Sequence, residues 1–392
     1  MYHFLKENNP SPNLKNLEKW DLSDKNLALS SEKYQKEVSY FSLTNKDEYS
    51  TKISFFELQK IALSPVISIV LFIRLCLKNL IKTVNLQFQT IIGFKSFFMQ
   101  IIDGNKVSQQ IRDQIKQETL KLVSQGFRAP HLSAILVGND GASMAYVGAK
   151  ERDCMAIGFG SSVHKLPENT TQEELIELIH TINQSNDTDG LIVQLPLPKH
   201  ISEKDITDAI HPSKDVDGFT PFNFGLVARG EGGYIPATPF GILKLLESYN
   251  IETSGKHCVV IGRSNIVGRP MSILMSQAGP VGNATVTLCH SKTKNLEFFT
   301  QMADIIIVAI GKPGFLDASM VKEGAVVIDV GISRVEDKSN SKGYVLKGDT
   351  NFDSLSTKCS ALTPVPGGVG PMTRVGLLLN TLQAYKTKNK LA

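Results

Sequence analysis

The stretch Val259–Pro270, VVIGRSNIVGRP, has the clearest chemical content in the sequence. An apolar strand runs into Gly262, a tight turn follows, and Pro270 falls where the first turn of a helix accepts proline. Backbone N–H groups at such a helix start would face a phosphate. Ser264 replaces the middle glycine of the usual dinucleotide fingerprint, so the loop alone is a weak match, and its setting between a strand and a helix carries the reading. The cofactor follows from charge at the adenosine ribose. An NAD site places an acid at the end of the second strand, but here that strand ends TLCHSKT, with no acid, while Ser291, Lys292 and Arg263 offer donors and positive charge for a 2′-phosphate. NADP is therefore expected over NAD, although a solvated surface Arg263 is the plainer alternative.

A second set of polar residues is scattered earlier in the chain. In YVGAK, Tyr146 and Lys150 stand four apart on an expected helix, so ring and amine share a face. In DGLIVQLPLP the amide of Gln194 interrupts an apolar strand just before Pro196, and ligands of open α/β sheets collect beyond the carboxyl ends of strands. KDVDGF adds Asp215 and Asp217 in a turn-forming stretch. Singly each has an ordinary explanation: a solvated lysine, an edge-strand amide, a turn or cap carboxylate. Near the C-terminus Pro366, Gly367, Gly368 and Gly370 form a loop that allows close backbone approach with limited freedom, or simply a helix entry.

These residues need elements to position them. From Met99 onward the pattern alternates: a short strand, a helix with Val107, Ile111, Ile115 and Leu122 on one face, a strand at Leu132–Val137, a helix at Ala142–Met155, a strand near Ser162, a helix at Gln172–Gln184 and a strand at Leu191–Leu195. Such alternation signals parallel βαβ units. Thr171 and Glu174 form a capping box for the third helix, whose apolar face is Leu175, Ile176, Ile179 and Ile182. A Pro-rich hinge at Tyr234–Gly241 leads to a second block, with strands at His257–Ile261, Ala284–Cys289, Ile305–Ile310 and Ala325–Val330. Their nearly unbroken apolar runs fit a parallel sheet covered on both faces, a small Rossmann domain. A last helix through about Tyr385 is expected to return to the first domain.

The fold class is thus α/β with two domains. Residues 99–236 form a parallel-sheet catalytic domain, joined by a C-terminal helix at 371–388, and residues 237–365 form the nucleotide-binding Rossmann domain. Residues 1–98 lack this alternation and read as an unassigned, loosely folded extension, with Met99 as the expected true start. The uncharged run Ile61–Ile73 contains Pro65 and falls short of the ~20 apolar residues of a spanning helix, so it reads as buried or interfacial. A net charge of +4, from 42 basic and 38 acidic residues, leaves no nucleic-acid footprint and points to small-molecule partners. Five cysteines without CxxC spacing and eight isolated histidines argue for free thiols in a reducing compartment, without a metal.

The ordered motifs YVxxK, VQLPLP, KDVDGF, PxTP, GRSxIVGxP and TPVPGGVGPMT, between Met99 and the C-terminus, resemble the bifunctional methylenetetrahydrofolate dehydrogenase/cyclohydrolase family. The resemblance implies a tetrahydrofolate one-carbon substrate in the interdomain cleft, NADP-dependent oxidation of its methylene group, and hydrolysis of the methenyl product to 10-formyltetrahydrofolate. It also implies a homodimer built through the Rossmann domain, while the unpaired cysteines point to the cytoplasm. Lys150 matches the catalytic lysine, Gln194 its neutral partner, Asp217 the pterin-binding acid and Tyr146 the ring that stacks on the aminobenzoyl group. Gly331 and Ile332 match a backbone contact near the nicotinamide, and the loop holding Pro366, Gly367 and Gly368 matches a flap over substrate and cofactor. Arg374 and the longer Gly279–Asn283 loop depart from the family pattern. A dehydrogenase without hydrolase activity and a non-catalytic binding protein are the competing readings.

Overall fold

The computed structural model describes residues 99–391 except 341 and 342. The Ile61–Ile73 run, Cys76 and the rest of the extension lie outside the described residues. Among those described, no helix is long and apolar enough to cross a membrane, and no group of three or more His, Cys, Asp or Glu could hold a metal ion.

Two parallel sheets organise this part of the chain. In the first lobe β2 (His131–Val137) lies between β3 (Gly160–Leu166) and β4 (Gly190–Val193). Helices α1 (Gly104–Ser124), α2 (Gly141–Ile157) and α3 (Gln172–Gln184) alternate with these strands, as the pattern requires. The α3 capping box forms in both directions: the Thr171 hydroxyl accepts from Glu174 N at 3.2 Å, and Thr171 N donates to the Glu174 carboxylate at 2.8 Å. Leu175, Ile179 and Ile182 are buried, whereas Ile176 is only half-buried. Two short helices, α4 (Glu203–Ala209) and α5 (Pro221–Arg229), complete this lobe.

The Pro-rich hinge is itself mostly helix. Helix α6 spans Ala237–Ser248, with Pro236 at its N-cap and Pro239 inside the first turn, where an N–H would have no intrahelical partner in any case. Beyond it come β5 (His257–Ile261), α7 (Gly268–Ser276), β6 (Thr285–Cys289), α8 (Leu296–Thr300), β7 (Ile305–Val308) and β8 (Val326–Asp329). An antiparallel hairpin follows, β9 (Ser333–Glu336) and β10 (Tyr344–Lys347), then α9 (Phe352–Ser356), β11 (Ala361–Leu362) and α10 (Val369–Lys388). Sequence reading missed that hairpin because its strands are short, half-exposed and weakly alternating.

With β1 (Gln100–Ile101) included, the larger sheet runs β1-β11-β8-β7-β5-β6, all pairs parallel. Its edge strand β1 had been expected in the first lobe by chain order. Instead Gln100 and Ile101 pair with Ala361 and Leu362, so the start of the described chain closes the nucleotide-lobe sheet. In both sheets the chain steps to opposite sides of a central strand, β2 in one and β5 in the other, which opens a crevice at the strands' carboxyl ends.

Helix α10 returns to the first lobe. The Tyr385 hydroxyl donates to Arg128 O at 2.6 Å, Lys386 pairs with Glu118 at 2.9 Å, and Arg374 pairs with Asp153 of α2 at 2.6 Å. Its crossing with α6 is close, since a Cβ at Gly376 would come within 2.2 Å of Ala237 O. The buried Asn380 amide donates to Val216 O and Ile235 O, each at 2.8 Å, and ties the helix to the segment that carries Asp217. The four described cysteines are buried free thiols, and burial pushes Cys154, Cys258 and Cys359 up to about 12.

Candidate active site

Helix α2 begins where β2 ends. The Asp140 carboxylate accepts from Ser143 N at 2.7 Å, and a left-handed Gly158 stops the helix. This fixes the face carrying Tyr146 and Lys150, and the amine stands 4.9 Å from the centroid of the ring one turn earlier. Lys150 is only 7% exposed although it is a lysine. Its Nζ donates to Gln194 Oε1 at 3.4 Å, so residues 44 positions apart meet at the carboxyl ends of β2 and β4. Gln194 Nε2 donates to Leu195 O at 2.6 Å, which leaves its oxygen to face the amine.

The two acids of KDVDGF separate into distinct tasks. Asp215 is 1% exposed and fully engaged. Its carboxylate accepts from Phe219 N at 3.1 Å, Thr220 N at 2.8 Å, the Thr220 hydroxyl at 2.6 Å and Asn223 Nδ2 at 2.9 Å. Asp217 is half-buried, and among the described residues its carboxylate has no hydrogen bond or ion pair, although it lies near enough to Lys150 for each to act on the other's charge. Lys214 is buried as well, with its amine donating to Ile182 O and Ser185 O at the end of α3.

Burial dominates the electrostatics. It pushes the Lys150 amine below its ordinary value, against the opposing pull of Asp217. It pushes the Asp217 carboxyl above its ordinary value, against the pull of Lys150, with Asp215 adding to the rise. Tyr146 is pushed up to about 12 by burial and then by Asp217, so its hydroxyl stays protonated.

A cleft cavity of about 560 Å³ has Tyr146 in its wall, together with Gly331, Ile332, Pro366, Gly367 and Gly368. Lys150, Gln194 and Asp217 are not part of that lining, and Lys150 connects to it through the Tyr146 ring. Asn105, Thr238, Thr373 and Arg374 also line the cleft; Thr238 and Thr373 fall in the PxTP and TPVPGGVGPMT motifs, Arg374 is the departure noted in the sequence, and Asn105 carries no sequence signal. The flap is docked by its backbone, since Asn105 N at the start of α1 donates to Gly367 O at 3.1 Å.

A second cavity of about 490 Å³ lies beyond the carboxyl end of β5, lined by Gly262, Arg263, His290, Ser291, Thr293 and Lys312 among others, with no acid in its wall. Lys292 is exposed outside it, and Lys312, after β7, supplies a cation that no fingerprint announces. The turn is as tight as its glycines imply, because a Cβ at Gly268 would lie 1.9 Å from Gly262 O. The amides at the start of α7 are less free than expected: Val267 N and Gly268 N donate to Ser264 Oγ at 3.1 and 3.4 Å, and Arg269 N to Ser264 O at 3.0 Å. Ser264 thus braces the loop that enters the helix and keeps its own hydroxyl proton for a ligand. A donor-rich, acid-free wall fits a phosphorylated ribose.

Comparison with known proteins agrees with this architecture. Family models for the tetrahydrofolate dehydrogenase/cyclohydrolase catalytic domain and NAD(P)-binding domain match residues 102–217 and 236–389. The bifunctional protein FolD of Flavobacterium johnsoniae is 58% identical over 291 residues, 74% of this chain and 99% of that protein. The FolD methylenetetrahydrofolate dehydrogenase/cyclohydrolase structure from Campylobacter jejuni aligns with a TM-score of 0.70 and 46% identity, covering 74% of this chain and 99% of that one. That of Trypanosoma brucei, complexed with NADP and an inhibitor, aligns with a TM-score of 0.70 and 36% identity over the same shares. With matches covering both lobes and nearly the whole length of these relatives, the chain belongs to the tetrahydrofolate dehydrogenase/cyclohydrolase family.

Proposed function

We propose that the chain oxidises 5,10-methylenetetrahydrofolate with NADP to the 5,10-methenyl compound and hydrolyses that product to 10-formyltetrahydrofolate at the same site. One observation carries the reading of both steps: a buried amine held by a neutral amide, Lys150 on Gln194, beside a carboxylate free to take a ligand, Asp217.

Bound NADP supplies the hydride acceptor. The protein's share of the oxidation is alignment and exclusion of water, because hydride transfer needs no protein base. Gly331, Ile332 and the Pro366–Gly368 flap wall the cleft around the reacting carbon, and Tyr146 offers a face for the aminobenzoyl ring. Asp217 accepts from the pterin ring N–H and amino group together. Desolvation, with Asp215 adding to it, raises its pKa, and a donor pair on the ligand would favour the ionised form.

Hydrolysis places demands on Lys150. Attack of water on the methenyl carbon releases one proton; as the ring opens the departing nitrogen takes one up while the carbinol oxygen gives up its own to solvent, so one proton is released overall. An amine with its pKa lowered by burial can accept the first and deliver the second near neutrality, which a solvated lysine does poorly. Gln194 orients it without fixing its charge. A carboxylate in that position would hold the amine protonated.

The retained lysine–amide pair favours the bifunctional reading over a dehydrogenase alone. Residues 99–236 with α10 are read as the folate-binding domain and 237–365 as the NADP-binding domain. The active form is read as a cytoplasmic homodimer built through the latter, with sedimentation as its check. The activity itself is tested by absorbance: reduced cofactor should appear with methylenetetrahydrofolate and NADP, more readily than with NAD, and added methenyl compound should decay without cofactor. Absence of both signals would refute the assignment.

A further inference from the structure

The loop after β10 contains a buried carboxylate that the proposed chemistry does not use. Asp349 is fully buried, and its side chain accepts three consecutive backbone amides from the turn after β7: Ile310 N at 2.7 Å, Gly311 N at 3.0 Å and Lys312 N at 2.6 Å. Successive N–H groups converging in this way form an anion-binding nest. Ile310 and Lys312 also line the β5 cavity. The protein therefore fills, with its own carboxylate, an anion hole bordering the cofactor pocket.

Asp349 is tied in turn to the other cavity. Its backbone N donates to Asp329 Oδ1 at 2.9 Å, and Gly331 N donates to the same oxygen at 3.0 Å. Thr350 supplies two donors to Asp329 Oδ2, from N at 2.8 Å and from its hydroxyl at 2.6 Å. Asp329 and Gly331 line the cleft cavity. Two buried carboxylates thus join the Ile310–Lys312 turn of one cavity to the Gly331–Ile332 segment of the other.

We propose that Asp349 is a positioning residue for the dinucleotide: by occupying the nest it excludes a phosphate from it, and through Asp329 it fixes the spacing between the two walls along which the cofactor lies. The inference rests on the proposed NADP-dependent activity. An amide at this position would turn its nitrogen toward at least one of the three donors, and an empty nest would leave three amides without an acceptor while inviting a competing anion.

The full chain offers an internal control, because hydrolysis of added methenyl compound needs no cofactor. Asp349→Asn and Asp349→Ala are expected to raise the KM for NADP roughly ten-fold or more, each ten-fold being about 1.4 kcal/mol, while cofactor-free hydrolysis falls by much less. Formate, a carboxylate small enough for the vacated nest, should bring the Asp349→Ala KM back down. An unchanged KM, equal loss of both activities, or a raised KM that formate does not lower would each overturn the inference. Failure of the wild-type chain to reduce NADP would instead overturn the proposed activity.

Discussion

Gln194 meets Lys150 through its carbonyl oxygen because its amide nitrogen is already given to Leu195 O, 2.6 Å away. The orientation of the pair is set by the strand end, before any substrate arrives. Gln194→Glu keeps the shape and adds a charge 3.4 Å from the amine. It should raise the lysine pKa, move the rising limb of the hydrolysis pH profile upward, and cut the neutral-pH rate on the order of ten-fold or more, in line with a general acid–base contribution. NADP affinity should stay at the wild-type value. A profile that does not move would remove Gln194 from its assigned role.

Lys150→Met should largely abolish hydrolysis of the methenyl compound while leaving NADP binding intact, and equal loss of both would count against the role given to the lysine. Its effect on stability has a definite sign. The folded pKa of Lys150 lies below the ordinary lysine value, chiefly through burial, so between the two values the folded chain holds fewer protons than the unfolded one. Stability from this group rises with pH through that window and is lost as pH falls through the folded pKa. Because the folded amine holds its proton less tightly than the unfolded one, Lys150→Met removes a penalty and should stabilise the fold by on the order of 1 kcal/mol. A melting temperature several degrees below wild type would contradict this.

Asp215 and Asp217 make a matched pair of tests. Asp217→Ala should raise the folate KM steeply with little change in melting temperature, because the carboxylate has no hydrogen-bond partner within the described residues. Asp215→Ala strips an acceptor from four donors and should cost roughly 3 kcal/mol of stability. Denaturant unfolding and substrate kinetics on the two variants should give opposite patterns. Similar patterns would show that the turn does not divide the work as its hydrogen bonds indicate.

The acid-free wall of the β5 cavity predicts cofactor choice. Ser291→Asp introduces a carboxylate where a 2′-phosphate would lie and where a free ribose 2′-hydroxyl could donate to it. The ratio of kcat/KM for NADP over NAD should fall by about ten-fold or more, one charge repulsion in a partly solvated site. Arg263→Ala should lower it through NADP alone. A ratio unmoved by both would place the adenosine end elsewhere.

Much of the architecture was written locally. Helix α3 spans Gln172–Gln184 and strand β5 His257–Ile261, the limits read from capping residues and unbroken apolar runs. Those signals are legible because a cap or an apolar face depends on neighbours a few positions away. The motifs were likewise enough to name the family and to nominate Lys150, Gln194 and Asp217. Sequence could not say that β1 would cross to pair with β11, because strand partners across some 260 positions leave no local mark. Nor could it tell Asp215 from Asp217, or show that Asp349 fills a turn of three amides nearly forty residues away. An aspartate has the same chemistry in any sequence window, and whether it braces a loop or waits for a ligand is decided only by the donors that folding brings around it.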